Sequence, residues 1–353
     1  MNDKSIEGRI TDIAFGGEGV MRVDNRVVFV PFTIAGETVR ARIVQQKKNF
    51  LRAELMEVLT PSPHREEPPC PYFQKCGGCQ YQHMDYATEK ASKEGQLREL
   101  LKRLGGLESP KILPLISGTH EGYRNRITVH QEWGKVGFRS TDGKELVDIE
   151  NCLLATPEVN RKLHHLRSKP HPRPHYSIRA DAVMGEAFYQ TNAALMAQLQ
   201  TVVTAAVSAD AKAVLELYSG VGFFTGKLAE REVQIVTVES DHRAVEVARK
   251  KLPPQVHTML GEAETTFHAA LKHLEKRPLT CLVDPPREGL PEVVRRDIVE
   301  CEASELIYLS CQPATLARDI RSMAEAFEPL WFQPIDLFPR TAHLECLTFL
   351  KRK

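Results

Sequence analysis

Two rhythms of apolar residues divide this chain. Over residues 1–58 they alternate with polar ones, as in RVVFV (26–30) and TVRARIV (38–44). That is the period of strands with one buried face. Gly16-Gly17, Gly19 and Gly36 supply turns, and five short strands of this kind predict a small OB-like barrel. Thr60–Pro71 (TPSPHREEPPCP) reads as a proline-rich linker. Tyr86–Leu104 changes to helical spacing, with Leu97, Leu100, Leu101 and Leu104 recurring on one face and Gly105-Gly106 as the stop. Residues 121–150 read as hairpin strands, with Asp142-Gly143 at a tight turn.

From residue 191 onward short apolar runs alternate with helical stretches. VLELYS (214–219), IVTVES (235–240), LTCLVDPP (279–286) and ELIYLSC (305–311) are strands, and helices follow them. Residues 328–352 read as two antiparallel strands. The alternation predicts an α/β, doubly wound parallel sheet that binds ligands at the carboxyl ends of its strands.

Composition adds bounds. At 353 residues the chain holds two or three domains. With 42% hydrophobic and 26% charged residues it has the make-up of a soluble protein, and no apolar run is long enough to span a bilayer. MNDKSIEGRI lacks the apolar core of a signal peptide, so a cytoplasmic, monomeric protein without membrane contact is expected. Its eight cysteines are then ligands, nucleophiles or core residues rather than a disulfide framework. A net charge of +1 does not announce nucleic acid. Arg161–Arg179 (RKLHHLRSKPHPRPHYSIR) does more, with six Lys or Arg, four His and no acid. It is either a solvated loop or a phosphate-contacting surface.

The candidate chemistry lies at strand ends. Glu216-x-Tyr218-x-Gly220-x-Gly222 joins a strand to a helix, where small residues let the backbone approach a ligand. About 20 residues on, Glu239 ends the next strand, where a carboxylate can accept both hydroxyls of a ribose. Thr225 replaces the third glycine of the dinucleotide fingerprint, which suits a cofactor without a pyrophosphate. Asp284-Pro285-Pro286 forces the chain out of the fourth strand with Asp284 facing the cleft.

Cys311, in Ser310-Cys311-Gln312-Pro313, stands between the fifth strand and a helix N-terminus, a setting that favours thiolate. A thiolate added to C6 of uracil moves negative charge to C5, which can then attack a methyl sulfonium. A carboxylate must afterwards remove the C5 proton so that the sulfur can leave. Glu345, opening the last strand beside the fifth, is the candidate; a surface glutamate is the alternative. Cys281, Cys301 and Cys346 are expected in core or surface without function. Cys70-x5-Cys76-x2-Cys79, with Cys152 far downstream, gives four soft ligands. Zinc and iron–sulfur clusters both accept such a set, and the three-plus-one spacing suits [4Fe–4S] better.

These motifs resemble the 5-methyluridine RNA methyltransferases that carry an N-terminal TRAM domain and an iron–sulfur cluster. The likeness runs through Ile10–Leu59 (Gly17-x-Gly19-Val20, Val28-x-Val30-Pro31, Gly36-Glu37), the cysteine spacing, Phe188-Tyr-Gln190-Thr-Asn192, SCQPATLARD (310–319) and His343-Leu-Glu345. Gln312 stands where relatives often carry asparagine. The resemblance implies a class I (Rossmann-like) S-adenosylmethionine methyltransferase domain, a TRAM barrel and a small α+β iron–sulfur domain. The implied limits are 1–60 for the barrel, 61–84 with 116–185 for the cluster domain, and 85–115 with 186–353 for the catalytic domain. Gln190, Tyr218, Gly220, Glu239 and Asp284 would line the S-adenosylmethionine site. Cys311 would be the nucleophile, Glu345 the proton acceptor, and Cys70, Cys76, Cys79 and Cys152 the cluster ligands. The partner would be large-subunit rRNA or tRNA, with its target base extruded. The barrel, Arg124, Arg126 and the 161–179 segment are candidate RNA surfaces. A 5-methylcytidine methyltransferase and a non-catalytic iron–sulfur RNA-binding protein are the alternatives.

Overall fold

The computed structural model describes residues 5–169, 173–180 and 192–353. Two compact units emerge: Met1–Gln96, Thr119–Ala180 and Phe338–His343 form one, and Leu97–Gly118, Asp181–Leu337 and Leu344–Lys353 the other. Elements are numbered in chain order.

The first unit begins with strands β1 (Ser5–Arg9), β2 (Asp12–Ile13), β3 (Glu18–Val23), β4 (Arg26–Pro31), β5 (Thr38–Gln46) and β6 (Phe50–Thr60). They form one sheet in the order β1-β5-β6-β4-β3-β2, one strand more than the five expected. The extra strand is the two-residue β2, which pairs with Val20 and Gly19. Alternate residues Met21, Val28, Val30, Val39 and Ala41 close the core with Ile10, each fully buried. Gly19 is required there, because a Cβ would stand 1.9 Å from Thr33 Oγ1.

Helix α1 (Tyr86–Arg103) follows, and the division between the units falls within it. Gly106, at φ 71°, ends it as expected, while Leu107 N–H bonds back to Leu101 O. After β7 (Ile116–Ser117), strands β8 (Arg126–Glu132), β9 (Lys135–Arg139) and β10 (Leu146–Asp148), helix α2 (Pro157–Ser168) and strand β11 (His175–Arg179) complete the first unit's second sheet. Its order is β10-β9-β8-β11. One face, with Ile127, Val129, Val136 and Ile178, shares a core with Val159, Leu163 and Leu166 of α2.

The second unit holds an eight-stranded sheet. Its elements are α3 (Met196–Ala206), β12 (Ala213–Leu217), α4 (Phe223–Leu228), β13 (Gln234–Glu239), α5 (His242–Lys251), β14 (His257–Leu260), α6 (Ala263–Leu271), β15 (Leu279–Val283), α7 (Glu292–Glu300), β16 (Glu305–Ser310), α8 (Pro313–Ser322), β17 (Phe327–Asp336) and β18 (Glu345–Arg352). The order is β14-β13-β12-β15-β16-β18-β17-β7. Strands β14 to β16 run parallel; β18 enters antiparallel between β16 and β17. Every residue of β12, β15 and β16 is buried, as a sheet covered on both faces requires. Leu97 and Leu101 join this core. Among the described residues no helix is long and apolar enough to cross a membrane.

Candidate active site

The turn after β12 is tightly wound. Tyr218, Gly220 and Gly222 all have positive φ, at 61°, 54° and 77°. A Cβ on Gly222 would come within 2.7 Å of Leu252, whereas one on Gly220 would meet open space. Tyr218 adopts this conformation without being glycine, a strain usually kept at functional sites. Among the described residues its hydroxyl and that of Ser219 are buried without hydrogen-bond partners. Glu239, at the end of β13, accepts Gly220 N–H on one carboxylate oxygen and Asp241 N–H on the other, both at 2.8 Å. Each oxygen keeps a lone pair for a further donor. Orphaned hydroxyls, two left-handed glycines and a fixed carboxylate together fit a nucleoside-bearing cofactor. Gln190 lies outside the described residues.

Beneath the turn, Glu216 is buried on β12 and its carboxylate accepts the Thr225 hydroxyl at 2.5 Å. Burial, with Asp284 adding to it, pushes Glu216 up to about 8 against the Thr225 bond. Asp284 directly follows β15, and burial raises it to about 7.

Ser310 and Cys346 are paired across β16 and β18. One step beyond that pair stand Cys311 and Glu345. Burial raises Cys311 to about 11, with Glu345 and Asp284 adding to the rise and Arg287 opposing it. Glu345 is buried, and burial followed by Asp284 lifts it to about 8, again against Arg287. The helix N-terminus was expected to favour thiolate. The resting thiol is instead held protonated, because desolvation and two carboxyl groups outweigh a helix that starts two residues away, at Pro313. Three acidic groups thus share one desolvated patch. A cationic sulfonium is the kind of ligand that would let them ionise.

Sequence reasoning missed how this patch is held. Thr315 Oγ1 of α8 donates to Arg287 O at 3.1 Å, Arg318 to Glu288 O at 2.7 Å, and Leu290 N–H to Asp319 at 2.8 Å. Tyr308 O–H also donates to Asp319, at 2.8 Å. The helix that begins beside Cys311 therefore clamps the loop carrying Asp284 and Arg287. The signal was in ATLARD, where Thr315, Arg318 and Asp319 recur at spacings of three and four. Cys346 is buried in the sheet, and Cys281 and Cys301 lie with sulfurs 4.0 Å apart.

In the first unit, Cys70, Cys76, Cys79 and Cys152 line one cavity of about 40 Å³. Burial raises Cys76 to about 11 and Cys79 to about 12; neighbouring cysteines add to this and Arg124 opposes it. Gly78 N–H points at Cys76 Sγ, 3.4 Å away, and Asn160 anchors the Cys152 backbone at 2.9 Å. Among the described residues no three Cys, His, Asp or Glu are placed to hold a metal ion. Two candidate RNA contacts also change role. Arg124 lines the cysteine cavity, and Arg167 is turned inward to Asp148 and the Ile149 carbonyl.

Comparison with known proteins then decides the family. Residues 269–353 match the family model tRNA (Uracil-5-)-methyltransferase, and residues 5–56 match the TRAM domain. Residues 186–265 match the model of ribosomal RNA adenine dimethylase. An uncharacterized RNA methyltransferase of Bdellovibrio bacteriovorus is 30% identical, covering 98% of this chain and 95% of that one. The chain belongs to this RNA methyltransferase family. Another uncharacterized RNA methyltransferase, from Aquifex aeolicus, is 29% identical over the full length of both chains. The methyltransferase fold also matches the crystal structure of Pyrococcus abyssi tRNA (uracil-54, C5)-methyltransferase in complex with S-adenosyl-L-homocysteine. That match has a TM-score of 0.76 and 20% identity, covering 98% of this chain and 99% of the other. The class I fold and the TRAM barrel expected for this RNA methyltransferase are thereby established.

Proposed function

We propose that this RNA methyltransferase transfers a methyl group from S-adenosylmethionine to C5 of a uridine in tRNA or large-subunit rRNA. The observation that carries the reading is the position of Cys311 and Glu345, one step beyond the Ser310–Cys346 pair at the ligand-binding edge of the sheet. The bound donor supplies an electrophilic methyl on sulfur. Cys311, its thiol proton lost to solvent, adds Sγ to C6, and the electron pair reaches C5, which takes the methyl as the donor's sulfur–methyl bond breaks and S-adenosylhomocysteine is left behind. Glu345 then accepts the C5 proton, and the C6–S bond breaks to restore the ring and the thiolate. Glu239 and the Gly220 turn orient the donor's nucleoside. Arg287 faces the charge that develops at the patch.

The four cysteines support a [4Fe–4S] cluster. Cys70, Cys76, Cys79 and Cys152 would hold it by their thiolates. A common cavity, a backbone N–H aimed at sulfur and the Arg124 cation suit that arrangement. Its role would be to tie the Cys70–Cys79 loop to Cys152, with no part in methyl transfer. The separate cores of the barrel and the cysteine-bearing sheet favour reading them as two domains, beside the catalytic one.

Incubating the protein with unmodified RNA and methyl-labelled donor, then digesting to nucleosides, tests the reaction. 5-Methyluridine is expected; label in 5-methylcytidine, or none, would overturn it. Iron and acid-labile sulfide near four per chain would support the cluster, and their absence from anaerobically purified protein would remove it.

A further inference from the structure

We infer that the open face of the sheet β10-β9-β8-β11, together with Trp133 at the tip of its β8–β9 hairpin, is a track for single-stranded RNA. The inference rests on the proposed RNA substrate and adds where a strand of it would lie.

Strand register builds the face. Arg126, Thr128 and His130 alternate along β8 with the buried Ile127 and Val129, so they point away from α2. Directly opposite them on β11 stand Arg179, Ser177 and His175. Arg126 Nε donates to Ser177 Oγ at 2.8 Å, which fixes the two rows on one side. Two basic pairs therefore face each other across the strands, Arg126 with Arg179 and His130 with His175. Like charges directly opposite in a sheet are destabilising. Burial, followed by Arg179, pushes Arg126 below the usual arginine range. A phosphate lying across the pair would be drawn to both. Two acids share this register, Glu132, paired with Arg139, and Asp148, opposite Gly137 and paired with Arg167.

Trp133 is the second observation. It is fully exposed, at 101% of its reference surface. Trp133 and Gly134 both have positive φ, 51° and 79°, and link β8 to β9 as a two-residue turn of the type that favours Asn-Gly. A bulky aromatic residue is unfavourable in that backbone and gains nothing from burial here. Its flat faces are open to a base, and stacking on unpaired bases is how exposed aromatics recognise single strands.

The test uses the full chain. Trp331 is the only other tryptophan, so Trp331→Phe leaves Trp133 as the sole indole reporter. Single-stranded RNA should quench its emission, and a duplex of the same length should not. Trp133→Asn should weaken RNA binding about 5- to 100-fold, the range of one lost stack, while leaving the melting temperature unchanged or higher. A merely structural tryptophan would lower it. Arg126→Gln with Arg179→Gln should reduce the slope of log affinity against log salt by about 1.4, two single-strand phosphate contacts. Unchanged affinity, slope and emission would overturn the track even if methylation proceeds. Quenching without methylation would instead leave the track standing and remove the proposed reaction.

Discussion

Asp319 accepts the backbone N–H of Leu290 at 2.8 Å, and through that bond the helix that follows Cys311 holds the Asp284–Leu290 loop. Arg295 and Arg318 also bond to this carboxylate, at 3.1 and 2.8 Å. Asp319→Ala leaves buried donors unpaired and should cost about 3–5 kcal/mol. Asp319→Asn keeps an acceptor and should cost about 1–3 kcal/mol. Denaturant titration reads both. If the residue positions the patch, Asn should lower kcat further than its stability loss accounts for, with KM for RNA little changed.

Cys311→Ala should reduce methylation by at least about 10⁴-fold and abolish covalent capture of 5-fluorouridine RNA, since nothing replaces the lost nucleophile. Glu345→Gln should slow turnover by about 10²–10⁴-fold, the usual range for a positioned base. Its distinctive result is a protein–RNA adduct on ordinary uridine, visible as a retarded band in denaturing gels. Free product release from that variant would exclude Glu345 as the proton acceptor.

The raised acids predict a split pH response. Capture of 5-fluorouridine RNA requires only the thiolate, and Cys311 sits near 11. Capture should therefore keep climbing from pH 7 to 9, by roughly tenfold per unit in the free enzyme. Turnover on ordinary uridine also needs ionised Glu345, near 8, so its kcat/KM should rise more steeply below pH 8 than above it. Matched rapid-quench profiles of the two substrates check this.

The same shifts act on stability. Glu216 and Glu345 near 8, and Asp284 near 7, hold protons in the folded chain that the unfolded chain releases near pH 4. The stability they contribute is full below about pH 4 and is lost as pH rises through 7 to 8, at up to about 1.4 kcal/mol per unit for each group. Urea midpoints should fall across that window. Glu216→Gln, which keeps an acceptor for Thr225, should flatten the slope.

The two glycines of the turn should separate binding from folding. Gly222→Ala drives a methyl into Leu252 at positive φ and should cost about 1–3 kcal/mol of stability. Gly220→Ala meets open space, so it should cost about 1 kcal/mol. Calorimetric titration should show that Gly220→Ala loses more donor affinity per unit of lost stability.

What was legible in the sequence is what the backbone period and the strand-end residues encode. Continuous apolar runs placed the buried strands to within three residues at either end, and Cys311 and Glu345 drew attention because one follows the end of its strand and the other opens its strand. Long-range electrostatics were not legible. The rise at Cys311 comes first from burial and then from carboxyl groups 27 residues before it and 34 after it in sequence, so a rule based on the adjacent helix gave the wrong sign. Arg124 and Arg167 looked like surface cations because a basic run does not say which members turn inward. Trp133 drew no notice because its significance is an exposure, and a single aromatic residue in a sequence carries no burial signal.

Strand β18 has a consequence for the order in which the protein is made. It fills an interior slot of the sheet, yet β16 and β17, its neighbours, leave the ribosome before it. Until residues 345–352 emerge, a nascent chain presents two unsatisfied hydrogen-bonding edges and a thiol without its carboxylate. The step that completes the sheet is also the step that completes the chemistry.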